Sequence, residues 1–233
     1  MQLVFDFPVS PRYSFDNFVV CNGNRTAFEF ARRLIDPVAS ESVLYIYGPP
    51  GSGKSHLLMA VGDKLAAGVP VSAVACAALA GNSSYEEDSL VDKFQDVPVL
   101  LVDDIDFLPD ERRRREEIWH LFNEFYGSGR RIVVTGTVPP RELTSVDDHL
   151  SSRLLWGLVA RVDVSDDDSR RLILKKLADD RQIMLPDDVI EYLLFHTRRD
   201  VQSLLDAFTT LVRQSLTTGR KITVRLARAA LTG

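Results

Sequence analysis

The chain contains little of three things that characterise large classes of proteins: cysteine, surplus positive charge and long apolar runs. Its 233 residues include two cysteines, Cys21 and Cys76, whose spacing is not that of metal ligands, so we expect neither a disulfide framework nor a zinc site. No apolar stretch approaches the ~18 residues that a transmembrane helix requires. The first residues also lack the basic region of a secretory signal. These absences predict a cytoplasmic protein without a membrane-spanning segment.

The charge balance is mildly acidic, because 28 lysines and arginines stand against 33 aspartates and glutamates, a net charge of -5. Proteins that grip duplex DNA usually have a basic surplus, since neutralising phosphates supplies most of their sequence-independent affinity. We therefore expect no sequence-specific binding of duplex DNA. The four arginines at 112–115 would spread over about 300° of a helix, and glutamates flank them. We expect them to form a solvated face, with a contact to DNA or a partner as the alternative.

Apolar strands alternate with amphipathic helices over the first two thirds of the chain. The predicted strands are 43–47, 69–75, 97–102, 131–135 and 158–164, and the predicted helices are 54–67 and 111–126, the second closed by Gly127. Parallel neighbours need crossover connections, so the pattern predicts an α/β fold with a central parallel sheet. After about residue 165 only helices are predicted, at 166–181, 186–196, 200–217 and 224–231. We expect an N-terminal segment at 1–10, an α/β domain at 11–164 and a small all-helical domain at 165–233.

A phosphate-binding loop follows the first predicted strand and opens an apolar-faced helix. Its pattern is matched at every fixed position by Gly48, Pro49, Pro50, Gly51, Ser52, Gly53, Lys54 and Ser55. Glycines let backbone N–H groups close on phosphate oxygens, and the following helix turns its positive end toward them. Lys54 is placed to reach the β- and γ-phosphates, and the Ser55 hydroxyl to ligate Mg²⁺. The loop predicts a nucleotide site.

Two acids end the predicted strand 97–102, which is apolar throughout, as a strand buried on both faces should be. A buried strand that ends in a carboxylate beside a phosphate loop places that carboxylate where Mg²⁺ sits. We expect Asp103 to hold the metal through water, and Asp104 to polarise the attacking water. A lone aspartate at a strand end usually only solvates it, but the intact phosphate loop favours the metal role.

Five blocks resemble the DnaA/Hda family of AAA+ ATPases, the bacterial replication initiators and their regulators. They are 13–20 with Asn24 and Ala27, similar to the adenine-side N-box; 53–58, similar to the phosphate loop; 103–108, similar to Walker B; 152–158, similar to box VII; and 219–223, similar to the turn before the last lid helix. The resemblance implies an AAA+ P-loop domain followed by a helical lid, with ATP or ADP and Mg²⁺ as ligands. It also implies that Phe18, Val19 and His56 contribute to the nucleotide site.

The first residues resemble a sliding-clamp-binding motif, a Gln followed by alternating apolar and aromatic side chains that insert into a surface groove. The residues are Gln2, Leu3, Phe5 and Phe7. A plain N-terminal strand is the alternative. The sequence contains no segment that resembles the initiator's helix-turn-helix domain. A clamp-binding-like motif combined with an initiator-like ATPase domain is similar to the Hda branch, whose members bind the DNA-loaded clamp and make DnaA hydrolyse its ATP. The resemblance implies the polymerase clamp and DnaA as partners, and leaves a homodimer open.

Arg153 lies in the block that resembles box VII. Members of this superfamily place an arginine at the subunit edge, where it reaches into a neighbour's site. A guanidinium delivered to the γ-phosphate stabilises transition-state charge and raises hydrolysis about 10³- to 10⁵-fold. The resemblance implies that Arg153 is such a finger, directed at the ATP of the initiator. An arbitrary arginine is more often a surface or salt-bridged residue, and we expect Trp156 to serve packing.

Two positions depart from the family pattern. The arginine that usually contacts the nucleotide from the third lid helix is Gln202 in the register we prefer, and Gln has no charge to offer the γ-phosphate. Arg199 lies three residues earlier on roughly the same helix face and could partly substitute. The sensor 1 position is Thr137, whose hydroxyl can still bond a phosphate or water. We predict that the chain holds ATP or ADP with weak or no hydrolysis of its own and activates the ATPase of a partner.

Two other functions fit the sequence. One is a single-stranded-DNA-binding adaptor or helicase loader of the same superfamily, in which the arginines at 112–115 contact DNA. The other is an initiator ATPase core without a regulatory role.

Overall fold

The computed structural model describes residues 13–79, 89–94 and 96–231. The residues predicted to bind a clamp, Gln2, Leu3, Phe5 and Phe7, lie outside these ranges, as does the predicted segment 1–10. Within them, no helix is both long enough and apolar enough to cross a membrane.

A five-stranded sheet forms the centre of the first part of the chain. Its strands are β1 (Val43–Tyr47), β2 (Val71–Ala75), β3 (Val99–Asp103), β4 (Arg131–Gly136) and β5 (Leu158–Arg161). All neighbours pair in parallel, in the order β2-β3-β4-β1-β5. The central strands β1, β3 and β4 are buried on both faces, which explains why their sequences read as continuous apolar runs.

Helices cover both faces of this sheet. They are α1 (Arg25–Leu34), α2 (Lys54–Ala66), α3 (Leu90–Phe94), α4 (Arg112–Ser128) and α5 (Asp148–Leu154), with 3-10 turns at Cys76–Leu79, Ile105–Phe107 and Pro140–Glu142. On one face, α1 and α2 bury Leu34 and Leu57 against Ile46. On the other face, α4 and α5 bury Phe122 and Leu150 in a second apolar cluster. Because consecutive strands are joined through helices, their carboxyl ends lie at one edge of the sheet, where the P-loop emerges.

Four helices follow the sheet and form a lid with its own apolar core. They are α6 (Asp167–Asp180), α7 (Asp187–His196), α8 (Val201–Thr218) and α9 (Val224–Leu231), packed around Leu193, Leu204 and Phe208. The carboxylates of Asp166 and Asp200 accept the backbone N–H groups three residues on and so cap α6 and α8. The predicted fold class, a parallel α/β domain followed by a small helical lid, is confirmed.

Several element bounds differ from the predicted ones. Helix α4 runs through Gly127 to Ser128, and Gly129, with φ 67°, supplies the left-handed C-cap that was predicted for Gly127. Strand β5 ends three residues early because the chain turns to bond outside the sheet, where Asp163 donates its N–H to the carbonyl of Gly23 at 2.9 Å. Helices α1, α3 and α5 were not predicted. Helices α3 and α5 have five and seven residues, too few for a periodicity to show.

Three of the arginines at 112–115 lie at the surface, as expected of a solvated face, and Arg114 does not. Each of them pairs with a carboxylate: Arg112 with Glu116, Arg113 and Arg114 with Glu117, and Arg115 with Asp110. Arg114 is buried, with 3% of its surface exposed. Glutamate residues one turn further along the helix therefore neutralise most of this run.

Candidate nucleotide-binding site

The P-loop between β1 and α2 depends on glycine. Gly51 and Gly53 have φ values of 70° and 102°, in the left-handed region that other residues rarely adopt. Pro50 lies exposed at the tip of the loop. The Gly48 N–H donates to the carbonyl of Gly136 at the end of β4, and a Cβ added to Gly48 would come within 2.0 Å of the Val162 carbonyl. The loop is thus anchored on both strands that flank β1.

Two polar side chains of the loop are buried with little to bind. Lys54, the first residue of α2, is 5% exposed, and its Nζ donates to the carbonyl of Pro49 at 3.2 Å. Burial lowers the pKa of Lys54, an effect that the carboxylates of Asp104, Asp106 and Asp103 oppose. The Ser52 hydroxyl is buried without a hydrogen-bond partner in the described part of the chain. A buried cation and an unsatisfied hydroxyl at a helix N-terminus suit a phosphate group.

The two predicted metal ligands meet at the carboxyl edge of the sheet. The Ser55 hydroxyl donates to Oδ1 of Asp103 at 3.1 Å, which joins the first turn of α2 to the end of β3. The same carboxylate oxygen accepts a hydrogen bond from the Thr135 hydroxyl at 2.6 Å. No group of three or more His, Cys, Asp or Glu side chains that could hold a metal occurs among the described residues. One hydroxyl and one carboxylate suit Mg²⁺, which usually completes its shell with water and substrate phosphates.

Asp104 has a strained backbone and a perturbed carboxyl group. Its φ is 53°, unusual for a residue other than glycine, and its N–H donates to the Thr135 hydroxyl at 2.8 Å. Burial and the neighbouring Asp103 raise the pKa of Asp104, while Lys54 lowers it. Groups with perturbed pKa values cluster at functional sites, and the role of Asp104 in polarising the attacking water stays a prediction.

Two further residues organise this edge, and the sequence analysis did not single them out. Thr135, completely buried, bridges the Asp103 carboxylate and the Asp104 backbone. Asp106 accepts from the N–H of Thr137 at 2.6 Å and from its hydroxyl at 2.9 Å. The Thr137 hydroxyl, predicted to bond a phosphate or water, is therefore engaged by Asp106. The available signal was a polar side chain at the end of an otherwise apolar strand.

A cleft of about 650 Å³ opens between the P-loop, residues 13–24 and the lid. The predicted nucleotide-site residues Phe18, Val19, Ser52, Gly53 and His56 line it. Phe18 lies at 3.6 Å from a Cβ built on Gly53 and contacts the His56 ring edge-on. His56 Nε2 lies 3.1 Å from the Ser14 carbonyl and 3.0 Å from Asn17 Oδ1, so His56 joins the turn at 14–17 to α2. Burial lowers the pKa of His56.

The lid contributes Gln202 to the cleft. Its Cβ lies 3.4 Å from a Cβ built on Gly51, which agrees with the register in which position 202 faces the nucleotide. The Gln202 amide donates to Asp206 at 2.9 Å. Arg199 pairs with Asp167 at 3.5 Å and lines a separate depression of the lid. Arg199 therefore does not replace the missing charge at position 202 in this arrangement.

Arg153 lies away from the P-loop of its own chain. It belongs to the last turn of α5, and the turn that follows packs against the start of β1, where a Cβ on Gly157 would come within 2.6 Å of Val43 Cβ. The P-loop emerges at the other end of β1, and a five-residue strand spans about 16 Å. The Arg153 guanidinium carbon lies 5.5 Å from the centre of the Trp119 ring and 5.4 Å from that of Trp156.

Comparison with known families accounts for both parts of the chain. A family model of the bacterial DnaA ATPase domain matches residues 9–161, and a model of the Hda lid domain matches residues 167–231. The chain belongs to the DnaA/Hda family of AAA+ proteins. It is thus a replication-initiation-related protein with a nucleotide-binding P-loop.

Solved structures agree with this membership. Domain III of the Thermotoga maritima replication initiation protein DnaA has 28% identity and a TM-score of 0.85, over 97% of this chain and 98% of that one. AMPPCP-bound DnaA from Aquifex aeolicus has 27% identity and a TM-score of 0.76, over 91% of this chain and 68% of that one. A DnaA bound to AMPPCP and single-stranded DNA has 26% identity and a TM-score of 0.75, over 88% and 66%. Thermotoga maritima RuvB, at 16% identity and a TM-score of 0.70 over 94% and 71%, shares the fold.

Proposed function

We propose that this chain is a nucleotide-binding regulator of replication initiation that binds the sliding clamp and promotes ATP hydrolysis by DnaA. Clamp binding rests on Gln2, Leu3, Phe5 and Phe7, and the hydrolytic contribution on Arg153. The lid that matches Hda supports this assignment, because the same chain combines it with a DnaA-like ATPase domain.

The observation that carries the proposal is the position of Arg153. Arg153 is half-buried and lies toward the ends of the strands that are opposite the P-loop. Among the described residues, no carboxylate lies within 4 Å of its guanidinium. An arginine that assists hydrolysis must bring an unneutralised guanidinium to the γ-phosphate. Arg153 has such a charge and cannot readily reach its own P-loop, so a nucleotide on a neighbouring protein is its natural target.

The chain's own cleft would hold ATP or ADP. The P-loop glycines, Ser52 and Lys54 would surround the phosphates, and Ser55 and Asp103 would hold Mg²⁺. When bound, Mg²⁺ supplies charge neutralisation at the phosphate oxygens. Related DnaA structures contain AMPPCP, which supports a nucleotide of this kind.

We expect this chain to hydrolyse ATP only weakly in its own cleft. Gln202 faces Gly51 but carries no charge, Arg199 is paired with Asp167, and the Thr137 hydroxyl already bonds Asp106. Asp104 could still polarise a water, but charge that develops on the γ-phosphate would have Lys54 as its nearest cation. The nucleotide therefore serves to fix the lid against the P-loop domain more than to drive turnover.

The adaptor or helicase-loader alternative receives little support. It needs the arginines at 112–115 to contact DNA, and all four are paired with carboxylates. Strong, salt-sensitive binding of single strands in the absence of clamp would favour that alternative.

The test is a reconstituted assay of ATP hydrolysis by DnaA in the presence of DNA-loaded clamp. We expect Arg153→Ala to bind clamp and nucleotide normally, and the rate at which DnaA hydrolyses ATP in its presence to be about 10³-fold lower than with the wild type. Arg141→Ala, at an exposed position outside α5, serves as the matched control and should stimulate normally. Replacing Gln2 and Leu3 with Ala should abolish clamp binding and leave nucleotide binding intact. Normal stimulation by Arg153→Ala would refute the proposal.

A further inference from the structure

Both tryptophans of the chain lie beside the same arginine. The sequence contains two, Trp119 and Trp156, and the Arg153 guanidinium carbon is 5.5 Å and 5.4 Å from the centres of their rings. A guanidinium within about 6 Å of an indole centre is attracted to the electron-rich ring face. Trp119 comes from the middle of α4 and Trp156 from the turn after α5, so two separate elements supply the rings.

Local backbone structure brings Trp156 beside Arg153. The backbone N–H of Trp156 donates to the Arg153 carbonyl at 2.9 Å, which closes the last turn of α5 and brings the two residues to the same side. At the next position, a Cβ on Gly157 would come within 2.6 Å of the Val43 carbonyl oxygen, so only glycine allows the turn to approach β1 this closely. The Tyr126 ring, 5.3 Å from that of Trp156, supports the indole from the side of α4.

The contact holds the arginine without neutralising it. Arg112, Arg114 and Arg130 are each held by a carboxylate, which would compete with any phosphate for the guanidinium. Arg153 has no carboxylate within 4 Å among the described residues, and no hydrogen bond of its guanidinium is observed there. The aromatic faces restrict the rotamers of a long side chain while its N–H donors stay available at the edge of the plane.

We propose that Trp119 and Trp156 are positioning residues that hold the Arg153 guanidinium, charged and with its donors unoccupied, in an orientation ready for a phosphate of a neighbouring protein. This inference rests on the proposed function and adds two residues to it. Trp156 thus has a role beyond the packing that its sequence context indicates, although 58% of its surface is exposed.

The first test is spectroscopic and does not depend on the proposed function. Arg153→Met removes the charge but keeps most of the side-chain length, so the emission of the two tryptophans should change. Arg161→Met, on β5 and paired with Asp163, is the matched control and should leave the emission unchanged. Identical tryptophan spectra for the wild type and Arg153→Met would overturn the inference. Single-tryptophan variants, Trp119→Phe and Trp156→Phe, would assign the change to each ring.

The second test separates positioning from docking. In the DnaA stimulation assay, Trp156→Leu should lower the maximal stimulated rate about 2- to 5-fold, since one such contact is lost. The concentration of this chain that gives half-maximal stimulation should stay unchanged. Trp156→Phe, which keeps an aromatic face, should recover most of the rate. A raised half-maximal concentration at an unchanged maximal rate would identify Trp156 as a docking residue and overturn the inference.

The two proposals fail in different ways. If Arg153→Ala stimulates DnaA normally, the proposed function fails, whatever the tryptophan spectra show. If Arg153→Ala loses stimulation while Trp156→Leu keeps the full maximal rate, the arginine acts without its aromatic neighbours, and only the positioning role fails. Because Trp156 is exposed, its substitution should leave the fold intact, and thermal unfolding of Trp156→Leu would verify this.

Discussion

Lys54 and Arg153 show two ways of holding a cation in one molecule. The Lys54 ammonium is buried at the start of α2, beside the carbonyl of Pro49 and near the acids that follow β3. The Arg153 guanidinium is half-buried on the opposite side of the sheet, between two indole rings and without a carboxylate within 4 Å in the described residues.

Under the proposed function, the difference follows from where each charge would be used. A cation that serves a ligand of its own cleft can be desolvated, because the phosphate that it binds restores the lost interactions. A cation that serves a ligand of another protein must stay accessible, and a carboxylate partner would have to be displaced before each encounter. Aromatic faces suit that second task, since they orient a guanidinium without occupying its donors.

Removing Lys54 should produce the largest effect on the cleft. Hydrogen bonds to charged groups contribute about 1.5 to 3 kcal/mol, so Lys54→Ala should weaken ATP and ADP binding roughly 100-fold. Isothermal titration calorimetry would measure this loss. Lys64→Ala, exposed on the last turn of the same helix, is the control and should bind normally. Equal affinities of Lys54→Ala and the wild type would mean that Lys54 does not bind a phosphate of its own cleft, which would refute this contrast with Arg153.

The pH dependence of nucleotide binding also tests whether the Lys54 ammonium binds a phosphate. Burial lowers the pKa of Lys54, and a phosphate binds its protonated form. Below that lowered pKa the ammonium is charged before and after binding. Above it, binding must take up a proton, so nucleotide affinity should fall at a lower pH than the titration of an ordinary lysine. The fall should be absent from Lys54→Ala.

Adding a methyl group at Gly157 should disturb the turn that follows α5 and, with it, the surroundings of Arg153. The new Cβ would lie 2.6 Å from Val43 Cβ and from the Val43 carbonyl oxygen, so the turn must move. Overpacking of this kind costs about 1 to 3 kcal/mol of the free energy of unfolding. We expect Gly157→Ala to unfold at lower denaturant concentration and to change the tryptophan emission.

Gly127→Ala is the matched control for that substitution. A Cβ at Gly127 meets nothing within 4 Å, and the residue lies inside α4 with ordinary helical backbone. Alanine should therefore stabilise the protein by about 0.5 to 1 kcal/mol. If both variants lose stability equally, the close approach of Gly157 to β1 is not what holds the turn.

Much of the fold could be predicted because burial imposes visible periods on the sequence. Strand β1 and helix α9 have their predicted bounds, and Asp166 and Asp200, the first residues of two predicted helices, cap α6 and α8 through their carboxylates. Helix α1 escaped prediction although its buried residues Ala27, Ala31 and Leu34 follow helical spacing, because two of them are alanines. Small side chains give a weak apolar signal even when they are fully buried.

The site was predicted less completely, for a physical reason. The P-loop is contiguous, so its glycines and Lys54 can be found from spacing alone. Thr135 and Asp106 act through contacts with residues about 31 positions away, and only the parallel register of β3 and β4 brings these together. The pairing of Arg153 with Trp119 likewise crosses from α5 to α4. Such long-range pairs leave no local pattern in a single sequence.

Replacing Gln202 with arginine tests whether the missing charge at this position limits the preference of the cleft for ATP over ADP. The side chain starts 3.4 Å from the Cβ position of Gly51, so a guanidinium would face the phosphates. We expect Gln202→Arg to raise the preference for ATP over ADP about tenfold, equivalent to about 1.4 kcal/mol. Competition binding with the two nucleotides would measure it. Thr217→Arg, exposed near the end of the same helix, is the control.

Asp206 lies close enough to position 202 to pair with the arginine of Gln202→Arg. It now accepts a hydrogen bond from Gln202 at 2.9 Å and would compete with the γ-phosphate for the new guanidinium. The gain in ATP preference should therefore be larger when Asp206→Asn is combined with Gln202→Arg. If neither variant prefers ATP more than the wild type does, the charge at position 202 does not set the nucleotide preference, and the engaged Thr137 hydroxyl becomes the better explanation of the weak hydrolysis that we propose.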